Sequence, residues 1–166
     1  GLGDVYKRQD HVHWLHKRSH FGATRSPDQT LRERTMADVR ACFGEHVFRD
    51  DFITKKHDEY NQSSPYHHSV INDLVNEDLL RGARDEIIEE LHFTEKETDI
   101  YKVNQTGDLA NLDGLGEEEA NRLKSLMKLR NAMYSDEFRG WLRRVTGCGP
   151  LSAKKKDMSI NDYRHG

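Results

Sequence analysis

A helix stop followed by an alternating stretch, close to the C-terminus, constrains the fold more than any other feature. Gly147 and Pro150 end a predicted helix, because glycine suits the position after a helix and proline prevents its continuation. Apolar and polar residues then alternate over 157–163, which predicts a strand. One face of that strand carries Met158 and Ile160, and the other carries Ser159, Asn161 and Tyr163. A polar row with an apolar back suits a strand that lines a pocket, and an ordinary half-buried edge strand is the alternative.

Elsewhere the pattern predicts helices and strands in mixed order. A weakly amphipathic helix follows Pro27, and the polar segment 54–65 has almost nothing to bury, which predicts a linker. A strand is expected at 68–74, followed by a helix that Asn76 caps. The buried stripe of that helix is predicted to consist of Leu80, Ala83, Ile87 and Leu91. A strand at 100–105 and two helices, which begin near Glu117 and Ser135, precede the final strand. These two helices are expected to bury Leu123, Leu126, Met127, Met133, Phe138, Trp141, Leu142 and Val145.

This order of elements indicates an α+β fold, in which helices brace one sheet of an incomplete β-sandwich or barrel. A hydrophobic content of 34% and a charged content of 33% are poor for a compact core of 166 residues. We therefore expect residues 1–65 to be a largely disordered tail with one weak helix, and residues 66–166 to be compact. Residues 1–9 resemble translated adaptor sequence and are excluded from fold prediction; a disordered start is the alternative.

Charge is distributed unevenly along the chain. Residues 76–99 hold nine acidic and three basic residues, whereas 122–166 hold eleven basic and four acidic ones. A basic segment of this kind can form a face for RNA or a ribonucleoprotein, and a solvated surface is the alternative. The sequence contains no apolar run near the ~20 residues that cross a bilayer, and its start lacks a secretory pattern.

The histidines and cysteines predict neither a metal centre nor a disulfide framework. Four histidines come close together near the start of the chain: His11, His13, His16 and His20. Lys17 and Arg18 would repel a cation there, so a polar tail is the preferred interpretation over a metal site. Cys42 and Cys148 are far apart in sequence, and reduced thiols are expected, as is usual in cytosol or nucleus.

Two blocks of sequence resemble a known family. They are residues 98–112 (Thr-Asp-Ile-Tyr-Lys-Val-Asn-Gln-Thr-Gly-Asp-Leu-Ala-Asn-Leu) and the segment from Gly147-Cys148-Gly149-Pro150-Leu151 to Tyr163. Both resemble the fungal branch of the Fe(II)- and 2-oxoglutarate-dependent prolyl hydroxylases (the prolyl 3,4-dihydroxylase family), which modify a small-subunit ribosomal protein. The resemblance covers roughly residues 48–166. It implies the N-terminal helices and first strands of a double-stranded β-helix (jelly-roll) catalytic domain, truncated before the iron motif.

The resemblance also implies a biological role. The whole protein would be a peptidyl-proline dioxygenase that uses Fe(II), 2-oxoglutarate and ascorbate, in cytoplasm and nucleus, with links to translation termination and oxygen sensing. Its partner would be the ribosomal protein substrate, with possible mRNA or ribonucleoprotein contact and no membrane. Whether one or two hydroxyl groups are added is left open. A non-enzymatic RNA-binding module that uses the basic C-terminal half is the main alternative, and a helical interaction protein is a third.

Only one cofactor-binding residue follows from the resemblance. Tyr163 aligns with the family tyrosine that precedes the iron motif and hydrogen-bonds 2-oxoglutarate, and a phenol at the end of a polar-faced strand can donate to a carboxylate. Iron in such enzymes needs two histidines and a carboxylate. No His-x-Asp motif occurs in the sequence, so we expect no catalytic and no metal-ligating residue within this chain, with the ligands beyond Gly166.

Overall fold

The computed structural model describes residues 27–97, 99, 102–154 and 157–163. The histidine-rich segment, residues 1–9 and residues 100 and 101 of the predicted strand lie outside these ranges. The described residues form six α-helices, one 3-10 helix and three strands. These are α1 (Pro27–Arg40), α2 (Asp50–Gln62), α3 (Glu77–Glu90), β1 (Thr94–Glu97), β2 (Lys102–Gln105), the 3-10 helix (Leu109–Gly114), α4 (Glu117–Arg122), α5 (Lys124–Met133), α6 (Asp136–Thr146) and β3 (Asn161–Asp162).

The first of two hydrophobic cores joins α2 and α6 to the turn that follows α1. Its buried members are Cys42, Phe43, Val47, Ile53, Ala132, Phe138, Trp141 and Val145. The rings of Phe43 and Phe138 stack at 5.0 Å between centroids. The indole Nε1 of Trp141 donates to the Val47 carbonyl oxygen at 2.7 Å, so the one polar atom of this side chain is satisfied inside the core. The burial of α6 confirms the predicted apolar stripe of Phe138, Trp141 and Val145.

The linker predicted at 54–65 is wrong, because α2 continues through Gln62. The segment is mostly polar, but Ile53 is buried and Phe52 packs against the first core, which anchors one side of the helix. Lys56 and Glu59 form an ion pair of 2.6 Å one turn apart, and Lys56 Nζ also donates to the Val70 carbonyl oxygen at 2.7 Å. The expected tail therefore contains a second, packed helix. The division of the chain at residue 65 stays a prediction, although helices from both of its sides share this core.

The strand predicted at 68–74 is also wrong. The segment runs without regular structure to a turn at Asp73, and only Val75 forms a bridge, to Phe43. Its backbone instead forms hydrogen bonds with the turn after α1. The backbone N–H of Gly44 donates to the Leu74 carbonyl oxygen at 3.0 Å. The β-branched residues that suggested a strand are divided between environments, since Val70 is exposed and Ile71 packs against the core. Tertiary contacts therefore override local β propensity here.

Helix α3 confirms the predicted cap, and its buried stripe differs from the prediction at one position. The Asn76 side chain accepts a hydrogen bond from the backbone N–H of Leu79 at 3.0 Å. Ala83 is buried, as predicted, but Leu80 is 49% exposed. Leu79 packs against the first core instead, because α3 contacts both cores: Leu79 faces the first and Ala83 the second.

The second core lies between α3, α5 and the sheet. Its buried members are Ala83, Leu109, Leu123 and Leu126, and Met158 and Ile160 pack against it from the last strand segment. The predicted helix from Glu117 is interrupted at Leu123, whose backbone angles (φ −114°, ψ 27°) separate α4 from α5. The interruption lets Leu123 and Leu126 both face this core. In the described part, no helix is both long and apolar enough to cross a membrane.

The three strands form one antiparallel sheet in the order β1-β2-β3. Thr94 pairs with Gln105, and Gln105 pairs with Asn161, which fixes the register across all three strands. The described part of the predicted strand at 100–105 is β2, whereas the predicted strand at 157–163 is paired as a ladder only at Asn161–Asp162. The described fold is thus mixed helix and small antiparallel sheet, which agrees with the expected α+β class.

Candidate functional site

The sheet has one side turned to the helices and one polar side. Because paired residues of neighbouring strands share a side, Thr94, Gln105 and Asn161 lie together. We call their side, which also carries Lys96 and Ser159, the polar face. On the opposite side, Met158 and Ile160 are half-buried against the second core. The alternation predicted for 157–163 is confirmed by this arrangement.

Tyr163 directly follows β3. When the register of β2 and β3 is extended by one residue, Tyr163 lies opposite the buried Val103, on the polar face. Its side chain is 74% exposed, and it does not line either of the two cavities described below. The predicted role of Tyr163 toward 2-oxoglutarate therefore stays a prediction.

A cavity of about 520 Å3 opens on the polar face beside Tyr163's strand. Its lining consists of Thr94, Lys96, Gln105, Thr106, Gly107, Asp108, Asp157, Met158 and Ser159. The Gln105 side-chain Nε2 donates to Ser159 Oγ at 2.8 Å, which ties β2 to the last strand segment across the lining. Among the described residues of this lining, Lys96 is the single cation. Together with the hydroxyl and amide groups of the lining, its ammonium group could bind a polar ligand.

The lining of this cavity also includes two carboxylates. Asp108 and Asp157 line it, and both act on the nearby Tyr134. Burial, followed by the Asp108 carboxylate, raises the pKa of the Tyr134 phenol above its ordinary value.

A second cavity, of about 690 Å3, lies on the helix side of the sheet, between the end of α3 and β3. Ile87, Leu91, Phe93 and Ile160 supply its apolar wall, and Arg84 and Asp162 lie in its polar part. Ile88, which also lines it, is 64% exposed.

The described residues do not fit an iron centre. No group of three or more His, Cys, Asp or Glu in the ranges described could hold a metal ion. Two of the histidines there have structural partners: His57 Nδ1 lies 3.0 Å from the Val145 carbonyl oxygen, and His67 Nδ1 lies 3.1 Å from that of Tyr60. Cys42 is buried and Cys148 is exposed, and both are free thiols.

Four of the eight described basic residues in 122–163 form ion pairs within the protein. Arg122 pairs with Glu90 at 3.0 Å, and Arg144 pairs with Asp50 at 2.6 Å. Arg130 is buried, where it donates to the Leu109 carbonyl oxygen at 2.8 Å and to Asp113. A nucleic-acid face needs cations that are free to contact phosphates, so this arrangement gives the RNA-binding alternative no support.

Sequence reasoning missed β1 and the contribution of Thr106. Strand β1 consists of Thr-Glu-Lys-Glu with all four residues exposed, so it lacks the apolar alternation that predicts a strand. Thr106 belongs to a turn signal, Thr-Gly-Asp, and only the structure shows that its hydroxyl contacts the last strand segment.

Comparison with known proteins identifies the class that this chain resembles. No family model matches the chain. Its similarity is to prolyl hydroxylases, which confirms the family resemblance that the sequence predicted. Prolyl 3,4-dihydroxylase OGFOD1 of Ostreococcus tauri is 38% identical over 103 residues, which cover 62% of this chain and 20% of that relative. Prolyl 3-hydroxylase OGFOD1 of Mus musculus is 36% identical over 84 residues, which cover 50% of this chain and 13% of that relative. The chain thus spans about a fifth of the length of the first relative.

Proposed function

We propose that this chain is part of the catalytic domain of an Fe(II)- and 2-oxoglutarate-dependent prolyl hydroxylase that acts on a small-subunit ribosomal protein. The observation that carries the proposal is the similarity to two prolyl hydroxylases over 103 and 84 residues. The proposed whole protein has a jelly-roll catalytic domain, is assisted by ascorbate, resides in cytoplasm and nucleus and has a role in translation termination and oxygen sensing.

In this proposal the three-stranded sheet is one wall of the cosubstrate cavity. The polar face supplies hydroxyl, amide and ammonium groups, and the helices behind it keep the strands rigid through Met158 and Ile160. Tyr163 shares this side by register, and its phenol donates to a 2-oxoglutarate carboxylate. A neutral donor such as this phenol orients an anionic ligand. In such a site a separate cation carries most of the binding energy.

In this proposal the iron ligands belong to another part of the protein, since the sequence contains no His-x-Asp motif. On that basis the 166 residues alone are expected to be inactive and to show no stoichiometric Fe(II) site. Isothermal titration with Fe(II), with and without 2-oxoglutarate, tests this expectation. A stoichiometric site that depends on 2-oxoglutarate would contradict it.

The test of the proposal uses the natural protein that contains this sequence. A peptide from a small-subunit ribosomal protein is incubated with Fe(II), 2-oxoglutarate and ascorbate, and the gain of one or two oxygen atoms on proline is followed by mass spectrometry. Tyr163→Phe is expected to raise the KM for 2-oxoglutarate by about tenfold, since one charge-assisted hydrogen bond is lost. Tyr66→Phe, which alters a tyrosine that is 79% exposed and remote in sequence from the sheet, is the matched control. Absence of proline oxidation in the unmodified protein, or an unchanged KM in Tyr163→Phe, would overturn the proposal.

A further inference from the structure

We infer that Thr106 is a positioning residue that fixes the register of the strand segment carrying Tyr163. This inference rests on the proposed function, because it assigns Thr106 a task only if Tyr163 contacts the cosubstrate. It starts from the backbone at the end of β2. Gln105 is the last residue of that strand, and the chain turns away from the sheet through Gly107.

The Thr106 hydroxyl extends the hydrogen bonding between β2 and the last strand segment beyond the point where the main chain of β2 ends. The backbone N–H of Thr106 donates to the Ile160 carbonyl oxygen at 3.0 Å. In return, the backbone N–H of Ile160 donates to Thr106 Oγ1 at 3.0 Å. The same hydroxyl donates to the Gly107 carbonyl oxygen at 2.9 Å, so its hydrogen is directed away from Ile160 and a lone pair is available to it. Thr106 therefore binds both backbone groups of Ile160: its backbone N–H contacts the carbonyl oxygen, and its side-chain hydroxyl contacts the N–H.

This contact contributes strongly to fixing the strand register, because β3 has only two residues. The ladder proper pairs only Asn104 with Asp162 and Gln105 with Asn161. A shift of one residue in a strand turns every side chain to the opposite side. Such a shift would move Tyr163 from the polar face to the helix side. The Thr106–Ile160 pair, three residues before Tyr163, opposes that shift.

Neighbouring contacts keep the segment attached when the hydroxyl is removed. The Leu109 backbone N–H donates to the Met158 carbonyl oxygen at 2.8 Å, and Gln105 holds Ser159 by its side chain. Thr106→Val preserves the shape of the side chain and deletes the oxygen that accepts from Ile160 and donates to the Gly107 carbonyl oxygen. It is therefore expected to loosen the register without detaching the strand. Thr106→Ser keeps the hydroxyl and is the conservative variant.

The first measurement is hydrogen exchange of the Ile160 amide in the 166-residue chain. Thr106→Val is expected to speed this exchange by about tenfold, which corresponds to the loss of one partly buried hydrogen bond. Thr106→Ser and the control Thr54→Val, on the exposed side of α2, are expected to leave it within about twofold. Unchanged exchange in Thr106→Val would overturn the inference.

The second measurement is a double-mutant cycle in the natural protein. Thr106→Val is expected to raise the KM for 2-oxoglutarate by about tenfold with kcat changed less than about twofold, and Thr106→Ser to restore the KM. In a Tyr163→Phe background, Thr106→Val should add less than about twofold, because the group that it positions has lost its hydrogen bond. Full additivity overturns the inference. If Tyr163→Phe raises the KM and Thr106→Val does not, only this inference fails; if Tyr163→Phe leaves the KM unchanged, the proposed function fails with it.

Discussion

Glu86 holds the start of α5 from outside that helix, and removing its charge is expected to destabilise the protein measurably. Its carboxylate accepts from the backbone N–H of Ser125 at 2.9 Å and from that of Leu126 at 2.8 Å. These are first-turn N–H groups, which have no partner within their own helix. Because Glu86 lies on α3, the carboxylate joins α3 to α5 as well as capping α5.

The magnitude follows from these contacts. A hydrogen bond to a charged group contributes about 1.5–3 kcal/mol and one to a neutral group about 0.5–1.5 kcal/mol, and the helix dipole adds about 0.3–1 kcal/mol. Glu86→Gln keeps one acceptor oxygen, loses the charge and turns an amide donor toward N–H groups. We expect a loss of about 2 kcal/mol at pH 7 and a Tm lower by about 4–8 °C. Glu89→Gln, at an exposed position of the same helix, is the matched control and is expected to change Tm by no more than about 1–2 °C.

The pH dependence of this effect has a defined sign. Burial alone would raise the pKa of Glu86, but the N–H groups of Leu126 and Ser125, with the Ser125 hydroxyl, hold it below the ordinary value of 4.5. A carboxyl whose pKa is lowered by folding contributes its full stability above the unfolded-state pKa and loses it as pH falls through the folded-state pKa.

Urea unfolding of the unmodified protein and of Glu86→Gln, from pH 7 down to pH 3, measures this. The difference in free energy of unfolding should stay constant at neutral pH and shrink below about pH 4.5. A difference under about 0.5 kcal/mol at pH 7, or one that grows as the pH falls, would refute the assignment.

Three further outcomes are expected. Trp141→Phe leaves the Val47 carbonyl oxygen without its donor in the first core, so it should cost about 1–3 kcal/mol in urea unfolding; a change under about 0.5 kcal/mol would contradict this. Arg130→Met should cost a similar amount and speed hydrogen exchange in the 3-10 helix, whose carbonyl oxygen Arg130 binds; unchanged exchange would show that the contact is not needed. A thiol reagent should modify Cys148 in the native protein at once and Cys42 only on unfolding, since burial raises the pKa of the Cys42 thiol and hides it; equal rates would refute this.

The helices were predictable where one local signal sufficed. The Asn76 and Ser135 side chains each accept from a backbone N–H three residues on, as their cap positions predict. Gly147 adopts the left-handed conformation (φ 71°) that ends α6 at the predicted place. The alternation of Met158 and Ile160 with polar residues also held, because a period of two assigns sides whether or not the strand is fully paired.

The caps, the buried stripes of α5 and α6 and the blocks that resemble prolyl hydroxylases could all be predicted from local sequence. The tertiary structure was needed to establish that 54–62 is helical, that 68–74 is not a strand and that Leu80 is exposed. It also decided that Thr106 reaches Ile160, 54 residues further along the chain. The reason is physical: caps and periodicity depend on residues a few positions apart, whereas burial and strand register depend on partners that only folding brings together.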